Sequence, residues 1–153
     1  MTAINAVTDL TREGDIAVLT INSPPVNALS AQVRDGLRDG AVQAAADPAV
    51  KAIVLICAGR TFIAGADISE FGKPSQGATL PEIQGALEGS SKPVIAALHG
   101  TALGGGFEVA LMCPPRWQDK RRSCARGHVR RSQMPPGFSK NHPNTDLNWR
   151  QFA

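Results

Sequence analysis

Apolar and polar positions fall into a regular order over the first three quarters of the chain. Ile16–Ile21 predicts a strand, and Ile4–Leu10 predicts its partner, joined through a turn at Arg12–Asp15. Ser23–Asn27, with two consecutive prolines, breaks the pattern. Ser30 is a candidate N-cap for a helix that places Val33, Leu37 and Ala41 or Val42 on one face. Asp47-Pro48 ends that helix, because the residue before proline is pushed out of the helical region. Ala52–Ile56 is a continuous apolar run, the pattern of a strand covered on both faces.

A glycine-containing loop, Ala58–Asp67, follows. Thr79-Leu-Pro-Glu82 reads as a capping box with proline near the helix start, predicting a helix over Leu80–Leu87. Pro93–Leu98 predicts the next strand, and Gly104-Gly-Gly106 opens a helix at Phe107–Met112. The order is ββαβ, loop, αβα, which defines an α/β class.

Composition then divides the chain. Residues 1–113 contain 28 Leu, Ile or Val, and residues 114–153 contain two, Val129 and Leu147. Residues 1–113 hold 7 Lys/Arg against 11 Asp/Glu, a net of −4. Residues 114–153 hold 9 Lys/Arg against 2 Asp, a net of +7, so the overall +3 belongs to the last segment. With five prolines and almost no large aliphatic residue, that segment has too little apolar surface to offset its ordering entropy. The expectation is one α/β domain over 1–113 and a disordered basic tail over 114–153.

No apolar run approaches the ~20 residues of a membrane span. The first residues carry acids where a signal peptide is basic and then apolar. Three cysteines, an odd number, give no disulfide framework and point to a reducing, cytoplasmic setting.

Two loops carry the candidate chemistry. One is Phe62–Ile68 and the other is His99–Glu108; both are rich in Gly and Ala, and both lead into helices. Small residues admit close approach by a ligand, and free N–H groups at helix starts receive anions. Two such N–H groups aimed at one point form an oxyanion hole. Glu108 falls in the first turn of the second helix, where a carboxylate is favoured and can serve as a general acid or base. The plainer alternative is a tight strand-to-helix turn with an ordinary N-terminal acid. A dinucleotide fingerprint does not fit: Gly104-x-Gly106-x-x-Val109 lacks the third glycine, and no acid follows at the required spacing.

Five segments in order carry a family resemblance: Ile21–Leu29, Ala52–Ile56, Phe62–Ile68, Lys92–Gly100 and Ala102–Glu108. Over its first 113 residues the chain resembles the N-terminal part of the enoyl-CoA hydratase/isomerase (crotonase) superfamily. The wording of Ser23–Leu29 and Gly59–Phe71 most resembles the hydratase half of bacterial multifunctional fatty-acid β-oxidation enzymes, which fuse it to a 3-hydroxyacyl-CoA dehydrogenase.

The resemblance implies a crotonase-like ββα spiral fold, a homo-oligomeric family, and a CoA thioester as substrate, with no metal or redox cofactor. It assigns the oxyanion hole to the N–H groups of Ala66 and Gly105. It sets Ala64, Asp67 and Ile68 along bound CoA, with the Ala64 carbonyl near the adenine amino group. Glu108 becomes one of two glutamates that activate the water added across a 2,3-double bond. The second glutamate of the family belongs to a Pro-Glu motif further along, yet this chain has no Glu after Glu108 and reads Gly127-His-Val-Arg130 near the corresponding position. The loss of motif, hydrophobicity and acids together suggests out-of-frame sequence after Cys113, a truncated hydratase that is inactive as written, and the loss of the oligomerising region. The alternative is a non-catalytic remnant that still binds CoA thioesters.

Other features read as structure. The basic run Arg121–Arg131 lacks any nucleic-acid motif, so weak electrostatic adhesion outweighs specific binding. Cys113, Cys124, His128 and His142 have spacings that match no common zinc site. Cys57 ends a buried strand as an inert thiol, and His99 is a structural residue at a strand end.

Overall fold

The computed structural model describes residues 2–113 and the backbone of Trp117–Gln118. Strands β1 (Thr2–Asn5), β2 (Thr8–Glu13) and β3 (Ile16–Ile21) form an antiparallel meander. Helix α1 (Ala31–Ala46) then crosses to β4 (Ala52–Cys57), and α2 (Leu80–Glu88) crosses to β5 (Val94–Leu98). Helix α3 (Gly105–Leu111) leads to a two-residue strand, β6 (Trp117–Gln118). The sheet order is β1-β2-β3-β4-β5-β6, with β3 through β6 mutually parallel. The α/β class and the crossover order agree with the sequence pattern.

The first strand differs from its expectation. Ile4–Leu10 is not one strand, because Asn5 Oδ1 accepts from the Val7 N–H at 3.0 Å and turns the chain. The segment therefore divides between β1 and β2, and it is Thr8–Glu13 that pairs with β3. Helix α3 also starts two residues earlier than predicted, at Gly105. The tail shows no strand pattern in its sequence, yet Trp117-Gln118 pairs in parallel with Ala97-Leu98. The rest of the tail lies outside the described residues.

The core lies between one face of the sheet and the helices. Leu19, Ile21, Ile53, Leu55, Val94 and Ala96 from the strands meet Val33, Leu37, Ala41, Ile83, Leu87 and Val109 from the helices. Each large aliphatic side chain so buried contributes about 1.5–3 kcal/mol of transfer free energy. On the opposite face of β4, Val54 is buried and Ala52 and Ile56 are half-buried, so the strand is covered on both sides to different degrees. Of the two residues offered for the buried stripe of α1, Ala41 is buried and Val42 is exposed.

Local caps follow the sequence signals. Ser30 Oγ accepts from the Val33 N–H at 3.4 Å. Glu82 accepts from both the N–H and the hydroxyl of Thr79 at 2.7 Å, closing the first turn of α2. Gly36 and Gly40 bring α1 down onto the sheet. A β-carbon on Gly36 would lie 2.0 Å from Thr8 Oγ1, and one on Gly40 would lie 2.3 Å from Leu19 Cδ1.

Candidate functional site

The segments after β3, β4 and β5 all leave the carboxyl edge of the parallel strands, the edge where open α/β sheets bind ligands. Two backbone hydrogen bonds and one close backbone approach hold the loops after β4 and β5 together. The Phe62 N–H donates to Thr101 O at 3.0 Å, and the Leu103 N–H donates to Ile63 O at 3.0 Å. Gly65 adopts φ 101°, and a β-carbon on it would meet Leu103 O at 3.3 Å. The two glycine-rich loops thus run side by side, with Ala66 and Gly105 each one residue beyond the contact between Gly65 and the Leu103-Gly104 segment.

The segment after β3 pins the same loop from the other side. Leu29 N–H donates to Gly65 O at 2.8 Å, and Leu29 forms a parallel bridge with Ala66. Ala64 N–H donates to Val26 O at 3.2 Å. Asn27, buried and at φ 52°, donates from Nδ2 to Ala58 O at 2.9 Å and to Thr61 O at 2.8 Å. Its Oδ1 accepts from the Ser23 N–H at 2.8 Å, so one amide side chain fixes two segments. Asparagine tolerates this left-handed conformation better than most residues.

Each residue named from the sequence has a clear place. Ala66 is exposed and Gly105 half-buried, and among the described residues neither N–H donates to a protein acceptor. Two such N–H groups in adjoining loops have the chemistry of an oxyanion hole. Glu108 is exposed in the first turn of α3, its N–H bonded to Gly104 O at 3.1 Å. Asp67 caps the short 3-10 turn Ile68–Glu70, with Oδ1 accepting from the Ser69 N–H at 2.9 Å. The Ser69 bonds hold its carboxyl below the usual aspartate range. Ile68 is 79% exposed and borders Phe71, also exposed, beside the loop.

The bystanders read from sequence sit as structural residues. Cys57 is buried, and desolvation pushes its thiol well above the ordinary cysteine range, away from thiolate chemistry. His99 Nε2 lies 3.1 Å from Gly59 O. Cys113 is buried, and its thiol donates to Val109 O at 3.4 Å; Cys124, His128 and His142 lie outside the described residues.

Two residues were not singled out from sequence, Arg34 and Glu70. Glu70 accepts from the Ala31 N–H at 2.7 Å and from Arg34 Nη1 at 2.9 Å. Arg34 also donates to Leu29 O and Gln76 O at 2.6 Å and to Ala78 O at 2.7 Å. In a linear sequence, Arg34 is one more charge on an amphipathic helix, and nothing there links it to a carboxylate 36 positions away.

The fold has counterparts among solved structures. A solved enoyl-CoA hydratase/carnithine racemase from Magnetospirillum magneticum superposes with a TM-score of 0.68 at 33% identity, covering 74% of this chain and 46% of that one. An enoyl-CoA hydratase from Mycobacterium avium subsp. paratuberculosis superposes with a TM-score of 0.65 at 31% identity, covering 76% and 48%. Among curated proteins, the peroxisomal bifunctional enzyme of Danio rerio is 46% identical over 98 residues, covering 64% of this chain and 14% of that protein. The "Probable enoyl-CoA hydratase" of Bacillus subtilis (strain 168) is 42% identical over 105 residues, covering 64% and 41%. The enoyl-CoA hydratase/isomerase family model matches residues 11–130, so the chain belongs to that family. It spans less than half the length of each of these relatives.

Proposed function

We propose that this chain holds the oxyanion-hole half of an enoyl-CoA hydratase site and, as written, binds acyl-CoA thioesters without hydrating them. The observation that carries the reading is the pinning of two glycine-rich loops side by side, with the Ala66 and Gly105 N–H groups unengaged by any acceptor among the described residues. In this reading the two N–H groups receive the thioester oxygen and stabilise the negative charge that develops on it. Ala64, Asp67 and Ile68 lie along the CoA moiety. The Ala64 N–H is already committed to Val26, and its carbonyl, which no donor among the described residues reaches, is left to face the adenine amino group.

Glu108 supplies one carboxylate for water activation. Hydration needs a proton delivered to one carbon and a hydroxyl to its neighbour, and the family divides that work between two glutamates. The chain has no Glu beyond Glu108, which supports binding without turnover. The change of composition after Cys113 supports reading residues 114–153 as out-of-frame sequence, although the family match runs on to residue 130. Resequencing codons 105–153 and translating all three frames tests that point. Three cysteines, an odd number, support a reducing compartment such as the cytoplasm.

The decisive experiment pairs a crotonyl-CoA hydration assay with a titration of crotonyl-CoA binding on the full chain. Saturable binding with no hydration is the expected result. Hydration that Glu108→Gln abolishes makes the chain an active hydratase. Absence of both binding and hydration overturns the reading.

A further inference from the structure

Leu29 touches both halves of the proposed oxyanion hole. Its N–H holds Gly65 O at 2.8 Å and its bridge reaches Ala66. Its buried side chain places Cδ1 2.8 Å from where a β-carbon on Gly105 would stand. Leu29 therefore adds to the direct backbone links between the two loops in setting the separation of the Ala66 and Gly105 N–H groups, by its backbone on one side and its side chain on the other.

What fixes Leu29 is Arg34. Arg34 Nη1 donates to Leu29 O at 2.6 Å and, from the same nitrogen, to Glu70 at 2.9 Å. The Arg34 side chain is only 14% exposed and the Glu70 side chain 33%, so the pair is partly shielded from water. The remaining guanidinium nitrogens donate to Gln76 O and Ala78 O, while Asp35 accepts from the Ala78 N–H at 2.8 Å. Glu70 also takes the Ala31 N–H in the first turn of α1. One planar group thus clamps the Leu29 carbonyl, the segment after the 3-10 turn and the start of α1. A lysine ammonium, a point charge with three donors, does not reproduce that fork.

We propose that Arg34, locked by Glu70, is a positioning residue that holds Leu29 and through it the spacing of the Ala66 and Gly105 N–H groups, so that it governs how strongly a bound thioester carbonyl is polarised. This rests on the oxyanion-hole reading above. Arg34 itself touches no substrate in this scheme. Its loss therefore acts first on the acyl carbonyl, while Asp67 keeps its bond from the Ser69 N–H and Ala64 its bond to Val26 O on the CoA side.

The test uses crotonyl-CoA labelled with carbon-13 at the carbonyl, bound to the full chain and followed by isotope-edited infrared spectroscopy. In the wild type the carbonyl stretch moves to lower frequency on binding. In Arg34→Gln that displacement falls to less than half, and crotonyl-CoA affinity drops about tenfold, the loss expected for one well-placed hydrogen bond. Affinity for free CoA, which has no acyl carbonyl, stays within about twofold, which a general collapse of the fold does not allow. Wild-type displacement retained in full by Arg34→Gln overturns the positioning role and leaves the oxyanion hole standing. No displacement in the wild type overturns both. Should Arg34→Gln fail to fold, Glu70→Gln decides: it keeps an acceptor for Ala31 while removing the charge that holds the guanidinium. A reduced displacement in Glu70→Gln upholds the proposal, and a full one refutes it.

Discussion

The carbonyl oxygen of Ile63 lies 2.2 Å from where a β-carbon on Gly106 would stand, and Ile63 Cβ lies 2.6 Å from it. The start of α3 and the loop after β4 are in contact through bare backbone, and any side chain at 106 must push them apart. Gly106→Ala is expected to cost about 2–4 kcal/mol and to lower the melting temperature by many degrees, since neither obstacle is the end of a flexible side chain. Gly85 is the control. It lies inside α2 with open space around it, so Gly85→Ala is expected to stabilise by ~0.5–1 kcal/mol through helix propensity alone. Thermal melts of the two variants check both signs; equal effects would contradict the contact.

Asn27 provides a second measure of how tightly the loops are held. Its amide donates to two carbonyls, Ala58 and Thr61, and accepts from Ser23, from a residue 3% exposed. Asn27→Ala strands those groups and also places alanine at φ 52°, for an expected loss of about 3–5 kcal/mol. Asn27→Gly removes the side chain but accepts the backbone angle, so it should cost about 1 kcal/mol less than alanine. Urea titration of the three proteins separates the backbone part from the hydrogen bonds.

Much of the fold is legible because its signals are local. Ser30 before an apolar stripe, Thr79 with Glu82 three residues on, and the β4 apolar run each describe their own neighbourhood, and the structure places a cap, a capped helix and a strand there. The two glycine-rich loops are legible for the same reason; α3 follows the second directly, whereas the first leads only into the three-residue 3-10 turn Ile68–Glu70. What escaped depends on distant partners. Gly36 and Gly40 look like weak points of a helix until Thr8 and Leu19 stand beneath them. The division of the first strand turned on a single bond from Val7 N–H to Asn5 Oδ1, which apolar alternation does not reveal. Arg34 and Glu70 joined the site only because β4 lies beside β3 and brings its loop back over the start of α1.

Lys92 supplies a cation to a helix end that has none of its own. The last turn of α1 carries no basic residue, and Lys92 Nζ donates to Ala44 O at 3.1 Å and also to Asp47 O. A positive group among the last carbonyls is favoured both as a donor and by the helix dipole. Lys92→Met keeps most of the aliphatic stem and removes the donors. It is expected to lower stability by ~1–2 kcal/mol, and hydrogen exchange should show the amides of the last α1 turn opening faster while those of β4 change less.

The exposed charges give a pH signature with opposite signs at its two ends. The hydrogen bond from Lys51 and its charge hold Asp15 below its ordinary 3.8, and the same partner holds Lys51 above its ordinary 10.5. The two groups meet at 2.8 Å. A lowered carboxyl contributes stability that is fully present above its unfolded value and is lost as pH falls through the folded value. A raised ammonium contributes stability present below 10.5 and lost as pH rises through the folded value. Glu82 adds to the acid side, because the Thr79 N–H and hydroxyl hold its carboxyl below 4.5. The melting-temperature gap between wild type and Asp15→Asn should therefore stay level from about pH 5 to 9 and close toward both extremes. For Glu82→Ala it should close only toward acid. Because all three groups lie at the surface, both gaps should be small, and 1 M salt should shrink the Asp15 gap while leaving most of the Glu82 gap, which rests on hydrogen bonds inside one helical turn. A Glu82→Ala gap that closed at alkaline pH instead would contradict the capping assignment.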